Sequence, residues 1–110
     1  MLTVIIPSYN DANNIPLAIA SASKIKHVTE IIVIDDCSKD NTEKLLRKLE
    51  FNNPKISYFK NQINIGSGLS FIKGIQKSLN PYIILLNSDD FFIPNGIENL
   101  FNYVLKNNLD

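Results

Sequence analysis

YIILLNSDD, residues Tyr82 to Asp90, joins five apolar side chains to four polar ones. An amphipathic strand alternates, whereas a strand covered on both sides is apolar throughout, so Tyr82 to Leu86 predicts a strand buried on both faces. Such a strand carries Asn87, Ser88, Asp89 and Asp90 to one fixed place at its C-terminal end. Two adjacent carboxylates repel each other and are costly to desolvate, which puts that end at a wet rim. A hard divalent cation and the phosphates it carries need oxygen donors of this kind. Asp is also favoured in turns for local reasons, here the turn before Pro94, and the stretch alone does not separate the two readings. What tilts the balance is recurrence: Glu30 to Ile34, EIIVI, is a second apolar run, and it ends in Asp35 and Asp36.

Around these two strands the chain alternates. Leu2 to Ile6 is a β-branched run, and Pro7, which lacks a backbone donor, is expected to end it. Ile15, Ala18, Ile19 and Ala22 fall at helical spacing over about 14–24, with Asn14 as N-cap and Pro16 tolerated in the first turn. Leu45, Leu46 and Leu49 make the face of a helix over about 41–50, opened by Asp40 and Glu43 as a variant capping box. Ile56 to Phe59 alternates like a more exposed edge strand. Asn64, Gly66 and Gly68 open a third helix whose expected buried face is Phe71 or Ile72, Ile75 and Leu79, and Asn80 and Pro81 end it. A last helix begins at Ile93 and Pro94 and carries Ile97, Leu100, Phe101, Val104 and Leu105 as the strongest apolar stripe in the chain. Strict β-α alternation implies an α/β fold: a Rossmann-like open, mainly parallel sheet with right-handed crossovers and helices on both faces, expected in the order 3-2-1-4.

Composition bounds the function. The 110 residues suit one domain, and 45% hydrophobic with 20% charged residues is the make-up of an ordinary globular protein. Eleven basic and eleven acidic side chains cancel, so no global field attracts nucleic acid or an anionic membrane, and recognition of phosphate has to be local. Cys37 is the single cysteine, which excludes an internal disulfide framework and suits a reducing compartment. No apolar stretch approaches the roughly 18 residues that span a bilayer. The chain reads as soluble and cytoplasmic.

In an open parallel sheet, ligands bind beyond the carboxyl ends of the strands where the winding reverses. With the order 3-2-1-4 that point lies between strands one and four. Three polar ends converge on it: Ser8 to Asp11, Asp35 and Asp36, and Asn87 to Asp90. The Tyr9 ring can stack on a base, Asp36 or Asp35 can accept hydrogen bonds from base N–H or ribose hydroxyls, and Asp89 with Asp90 can hold a metal that bridges phosphates. Few Lys or Arg residues lie in these loops, and a metal fills that gap. Asp35 reads as the more structural of its pair, fixing the turn after the strand. His27 reads as a surface residue in a loop at the opposite edge of the sheet. Cys37 reads as a small filler, with nothing nearby to lower its pKa. Gly66 and Gly68 serve equally well as turn residues, a lone Gly-x-Gly being weak as a phosphate signal.

The segments IIPSYND, VIDDCSKDNT, INIGSG and ILLNSDDFFIP together resemble the nucleotide-binding half of family 2 glycosyltransferases of the GT-A fold. That resemblance implies inverting transfer of a sugar from a nucleotide-diphosphate donor to a glycan or other acceptor, usually with Mg or Mn. It implies that Pro7 and Tyr9 belong to the nucleoside pocket, that Asp36 pairs with the base, that Asp11 supports the pocket, and that Asp89 and Asp90 close the motif that holds metal and diphosphate. Members of the family continue for roughly another hundred residues with an acceptor-binding half that contains the catalytic base. Residues 1–110 are therefore expected to be a donor-binding domain truncated before that half, inactive alone. The full enzyme is expected to lack a transmembrane segment, with room for peripheral membrane association and for dimerisation through an uncovered part of the last helix. Three positions depart from the family pattern: Asn87 replaces the first Asp of D-x-D, Phe71 and Ile72 replace an Arg-Asn pair, and Cys37 replaces a Gly. The first departure weakens the metal site; the second removes a contact from the helix start or passes it to Lys73. The alternative is a non-catalytic nucleotide-binding module with the same pocket. A receiver-like signalling domain is disfavoured because no Lys follows the late strand, and a dinucleotide-dependent oxidoreductase because PSYND is not a Gly-rich fingerprint.

Overall fold

The computed structural model describes residues 1–107. Strands β1 (Leu2–Ser8), β2 (Val28–Asp35), β3 (Ile56–Lys60) and β4 (Tyr82–Leu85) alternate with helices α1 (Ile15–Ser23), α2 (Thr42–Asn52), α3 (Ser67–Lys77) and α4 (Gly96–Lys106). The four strands form one sheet in the order β3-β2-β1-β4, and every pairing is parallel. One face is covered by α1, α2 and α4, whose Ile15, Ala18, Ile19, Leu46 and Phe101 pack on Leu2, Val4, Ile6, Ile31 and Val33. The other face is covered by α3 over Ile5, Ile32 and Ile34. Each fully buried Ile contributes about 2 kcal/mol of transfer free energy, which is why the central runs of the two inner strands, Val4 to Ile6 and Ile31 to Ile34, are all Ile and Val.

Strand β1 runs one residue past the expected stop at Pro7. The reason lies in which neighbour each residue faces. The carbonyl of Ile5 accepts from Leu86 N on the β4 side, and the carbonyl of Ser8 accepts from Asp36 N on the β2 side. Pro7 shares the parity of Ile5, so its missing donor points to the β4 side, where the ladder has already ended. The proline therefore interrupts no hydrogen bond.

Five expectations need correction. Strand β4 is not buried on both faces: it is the sheet edge opposite β3, Tyr82 to Ile84 are half-buried and Leu85 is exposed. The buried face of α3 is Ser70 and Gly74, while Ile72, Ile75 and Leu79 are exposed and Phe71 is half-buried. Small residues face the sheet here because the helix lies close against β1: a Cβ added to Gly74 would stand 2.5 Å from Ile5 Cγ2. On α4 only Phe101 is buried, with Leu100 and Leu105 exposed. No capping box forms at α2; Asp40 Oδ1 instead accepts from Thr42 N at 3.0 Å and from Thr42 Oγ1 at 2.5 Å. His27 is half-buried rather than a simple surface residue, its ring centred 5.0 Å from the Phe101 ring and tilted 53° to it, with Nε2 3.1 Å from Asn102 Oδ1.

Candidate functional site

The loops after β1 and β2 are tied together before any ligand is considered. Asn10, at φ 49, donates its N–H to Ser38 Oγ at 2.9 Å and accepts from Lys39 N through Oδ1 at 2.7 Å. Asn is among the few residues that adopt this left-handed conformation at low cost. Asp11 accepts from Asn14 Nδ2 at 2.7 Å and from Ser88 Oγ at 2.6 Å, and so links the start of α1 to the loop after β4.

The two acids after β2 have different surroundings. Asp35 is fully buried and accepts from the Tyr58 hydroxyl and from Ser38 N at 3.0 Å. Burial, followed by this hydrogen bond to a carboxylate, pushes the Tyr58 phenol well above its ordinary range. Asp36 turns toward the start of α3. Its Oδ1 accepts from Asn61 Nδ2 at 3.0 Å and Ile65 N at 2.8 Å, and its Oδ2 accepts from Gly66 N at 2.8 Å. Burial raises its pKa, but those donors, with the Lys73 charge behind them, outweigh it and leave the carboxyl below the ordinary 3.8. Gly66 sits at φ 90, a conformation that the loop reaches cheaply only with glycine.

These pieces enclose a cavity of about 400 Å³ lined by Pro7, Ser8, Tyr9, Asp11, Asp36, Ser67, Asn87, Ser88 and Asp89. It stands at the carboxyl ends of β1 and β4, the switch point of the sheet. Pro7, Tyr9, Asp11, Asp36 and Asp89 thus come together as their positions in the sequence suggest. Asp90 does not line the cavity; it accepts from Asn87 Nδ2 at 3.3 Å. Asp35 also stays outside, held in the sheet. Ser8 and Ser88 belong to the strand ends expected to converge, without a role of their own, and they join the wall with Ser67, which lies inside INIGSG. No Lys, Arg or His lines the cavity.

Among the described residues, no three His, Cys, Asp or Glu side chains stand together as a metal cage. The residues present still fit a cation that keeps most of its water and phosphate ligands. The Asn87 amide nitrogen is committed to Asp90, which leaves its oxygen and the Asp89 carboxylate as hard donors at the cavity.

Solved structures define the class. The sheet and helices superpose on S. aureus TarS (residues 1–349, in complex with UDP-GlcNAc) with a TM-score of 0.85, at 21% identity over 96% of this chain and 31% of that one. They superpose on the mannosyltransferase PcManGT from Pyrobaculum calidifontis (in complex with GDP-Man and Mn2+) with a TM-score of 0.84, at 17% identity over 94% of this chain and 32% of that one. The fold is the GT-A fold of glycosyltransferases. Within that class the chain belongs to Glycosyl transferase family 2, whose profile matches residues 3–110. It is 35% identical to an uncharacterized glycosyltransferase of Mycoplasma genitalium, over 99% of this chain and 39% of that protein. It is 32% identical to the Escherichia coli UDP-Glc:alpha-D-GlcNAc-diphosphoundecaprenol beta-1,3-glucosyltransferase WfgD, over 99% of this chain and 43% of that protein. The chain thus spans about two fifths of the length of these relatives. No helix among the described residues is long and apolar enough to cross a membrane.

Proposed function

We propose that this chain is the donor-binding part of an inverting glycosyltransferase that takes a sugar from a nucleoside diphosphate and gives it to a glycan acceptor. The observation that carries the reading is the convergence of Tyr9, Asp36, Asn87 and Asp89 on one cavity at the switch point. Tyr9 is half exposed there, a flat surface for a base. Asp36 Oδ2 has used one acceptor position on Gly66 N, and its second is available to a base N–H or a ribose hydroxyl. The Asp11–Ser88 hydrogen bond keeps the loop after β4 against the loop after β1, so the nucleoside and diphosphate ends of the ligand keep a fixed spacing.

Asp89 and the Asn87 oxygen are the residues that would hold Mg2+ or Mn2+, and the bound cation supplies charge to the departing diphosphate. Three carboxylates and no cationic side chain line the cavity, which supports a need for that charge. The base that deprotonates the acceptor lies in our reading outside residues 1–110, so this segment binds donor and does not turn over. The donors named for TarS and WfgD support a nucleotide-sugar ligand, and the acceptor in the WfgD name supports a glycan acceptor. The single cysteine suits the cytoplasm, where we place the protein.

Isothermal titration with UDP, GDP and dTDP, with and without Mn2+, tests the reading. Binding that requires Mn2+ and disappears in Asp89→Ala is expected, and it names the base. Binding unaffected by either change would remove the metal from the account. Failure of the folded chain to bind any of the three would overturn the donor site, and sugar transfer by the 110-residue chain would overturn its proposed inactivity.

A further inference from the structure

Asp36 lines the cavity, but two side chains that act on it from behind, Asn61 and Lys73, do not. Asn61 follows β3, donates its backbone N–H to the carbonyl of Asp35 at 2.8 Å and is 4% exposed. Both N–H groups of its amide are committed, one to Asp36 Oδ1 at 3.0 Å and the other to Ser70 Oγ at 3.1 Å. Its Oδ1 accepts from Lys73 Nζ at 3.1 Å. An ammonium can only donate and an ionised carboxylate can only accept, so the two charges select one orientation of the amide between them. The flipped amide would set oxygen against oxygen at Asp36 and N–H against the ammonium at Lys73. Lys73 and Asp36 are thus an ion pair with an amide inserted.

This chain limits what Asp36 offers to the cavity. A carboxylate has about four acceptor positions. The consecutive N–H groups of Ile65 and Gly66 fork onto Oδ1 and Oδ2 and fix the plane of the group. Asn61 takes the second position of Oδ1, which leaves one open, on Oδ2. A ligand that fills the cavity also displaces the water at that position, and a carboxylate that loses water is driven to take up a proton. The amide and the charge behind it oppose this, since hydrogen bonds in series polarise one another. We propose that Asn61, oriented by Lys73, is a positioning residue of the donor site, which turns Asp36 so that its one open acceptor position meets the ligand. Lys73 does not take over the donor contact of the missing Arg; it acts through Asn61. The proposal rests on the donor-site reading above.

The test is a 15N-resolved NMR titration of the chain with UDP, GDP and dTDP in Mg2+, which reports fold and millimolar affinities together. Lys73 is exposed and outside the cavity wall, so Lys73→Met should keep the fold and the melting temperature. It should nevertheless weaken binding of whichever nucleotide binds about fivefold, the worth of one hydrogen bond. Lys73→Arg, which keeps a cationic donor, should bind like the wild type. Without nucleotide, Lys73→Met should move the side-chain amide signals of Asn61. In an Asn61→Ala background Lys73→Met should cost nothing further, because the group it acts through is gone, whereas a charge acting through space would still add its loss. Should Asn61→Ala fail to fold, Asp36→Asn takes its place with the same expectation. Wild-type affinity in Lys73→Met, an equal loss in Lys73→Arg, unmoved amide signals, or losses that add in the double variant overturn the relay while leaving the donor site intact. Absence of nucleotide binding by the wild type overturns both.

Discussion

Two strands in this protein end in paired aspartates, and the pairs have opposite fates. Asp35 is the last residue of β2, an inner strand between β1 and β3, and Asp36 follows it; both are buried with their oxygens turned to protein donors. Asp89 and Asp90 follow β4, an edge strand, and both are exposed, with one contact from Asn87 at 3.3 Å between them. A carboxylate emerging between two neighbours meets their loops and backbone N–H groups; one emerging at an edge meets water. The first pair is thereby built into the fold, with one Asp36 Oδ2 acceptor position left at the cavity, and of the second pair Asp89 keeps its lone pairs for whatever enters the cavity.

The largest effect that would break this contrast is on stability. Asp35→Ala strands the buried Tyr58 hydroxyl and the Ser38 N–H, and it should cost about 3 kcal/mol in urea unfolding. Adding Tyr58→Phe should return part of that loss; full additivity of the two substitutions would mean that the pair is not coupled. Asp36→Asn comes next, at about 2 kcal/mol near pH 7, since the N–H groups of Ile65 and Gly66 lose a charged acceptor. Its pH dependence has a definite sign. The folded carboxyl titrates below 3.8, so in acid the unfolded chain binds the proton first. The stabilisation is fully present above that value and is lost as pH falls through the folded pKa. The gap between wild type and Asp36→Asn should therefore close below about pH 4; a gap that widens there would refute the role of the ionised carboxylate.

At the edge strand the same substitutions should hardly register in stability. Asp89→Ala is expected to shift unfolding by less than about 0.5 kcal/mol, as exposed positions do, while abolishing Mn2+-dependent nucleotide binding. Asp90→Asn should change both quantities least, because its carboxylate lies outside the cavity wall. A loss of several kcal/mol in Asp89→Ala would show that the second pair is structural after all.

Much of this contrast is invisible in the sequence. EIIVIDD and YIILLNSDD look alike, and both predict a buried strand that delivers acids to a rim. Only the first is buried, because burial depends on which strands lie alongside, and that follows from topology. The same limit explains α3. Its apolar residues Ile72, Ile75 and Leu79 suggested the packing face, but the helix approaches β1 so closely that only Ser70 and Gly74 fit beneath it. Asn61 carried no motif at all. It becomes central because its amide reaches Asp36 at 3.0 Å and Ser70 at 3.1 Å while its oxygen accepts from Lys73.

What the sequence by itself determined is the element order, the parallel sheet and the loops that would meet: alternating apolar runs and amphipathic helices admit few topologies, and the family motifs mark the loops at the strand ends. What only the tertiary structure decided is the state of each side chain in those loops. Whether a carboxylate is spent on the fold or left to a ligand depends on donors that arrive from other elements within about 3 Å. No local pattern of residues encodes that distance.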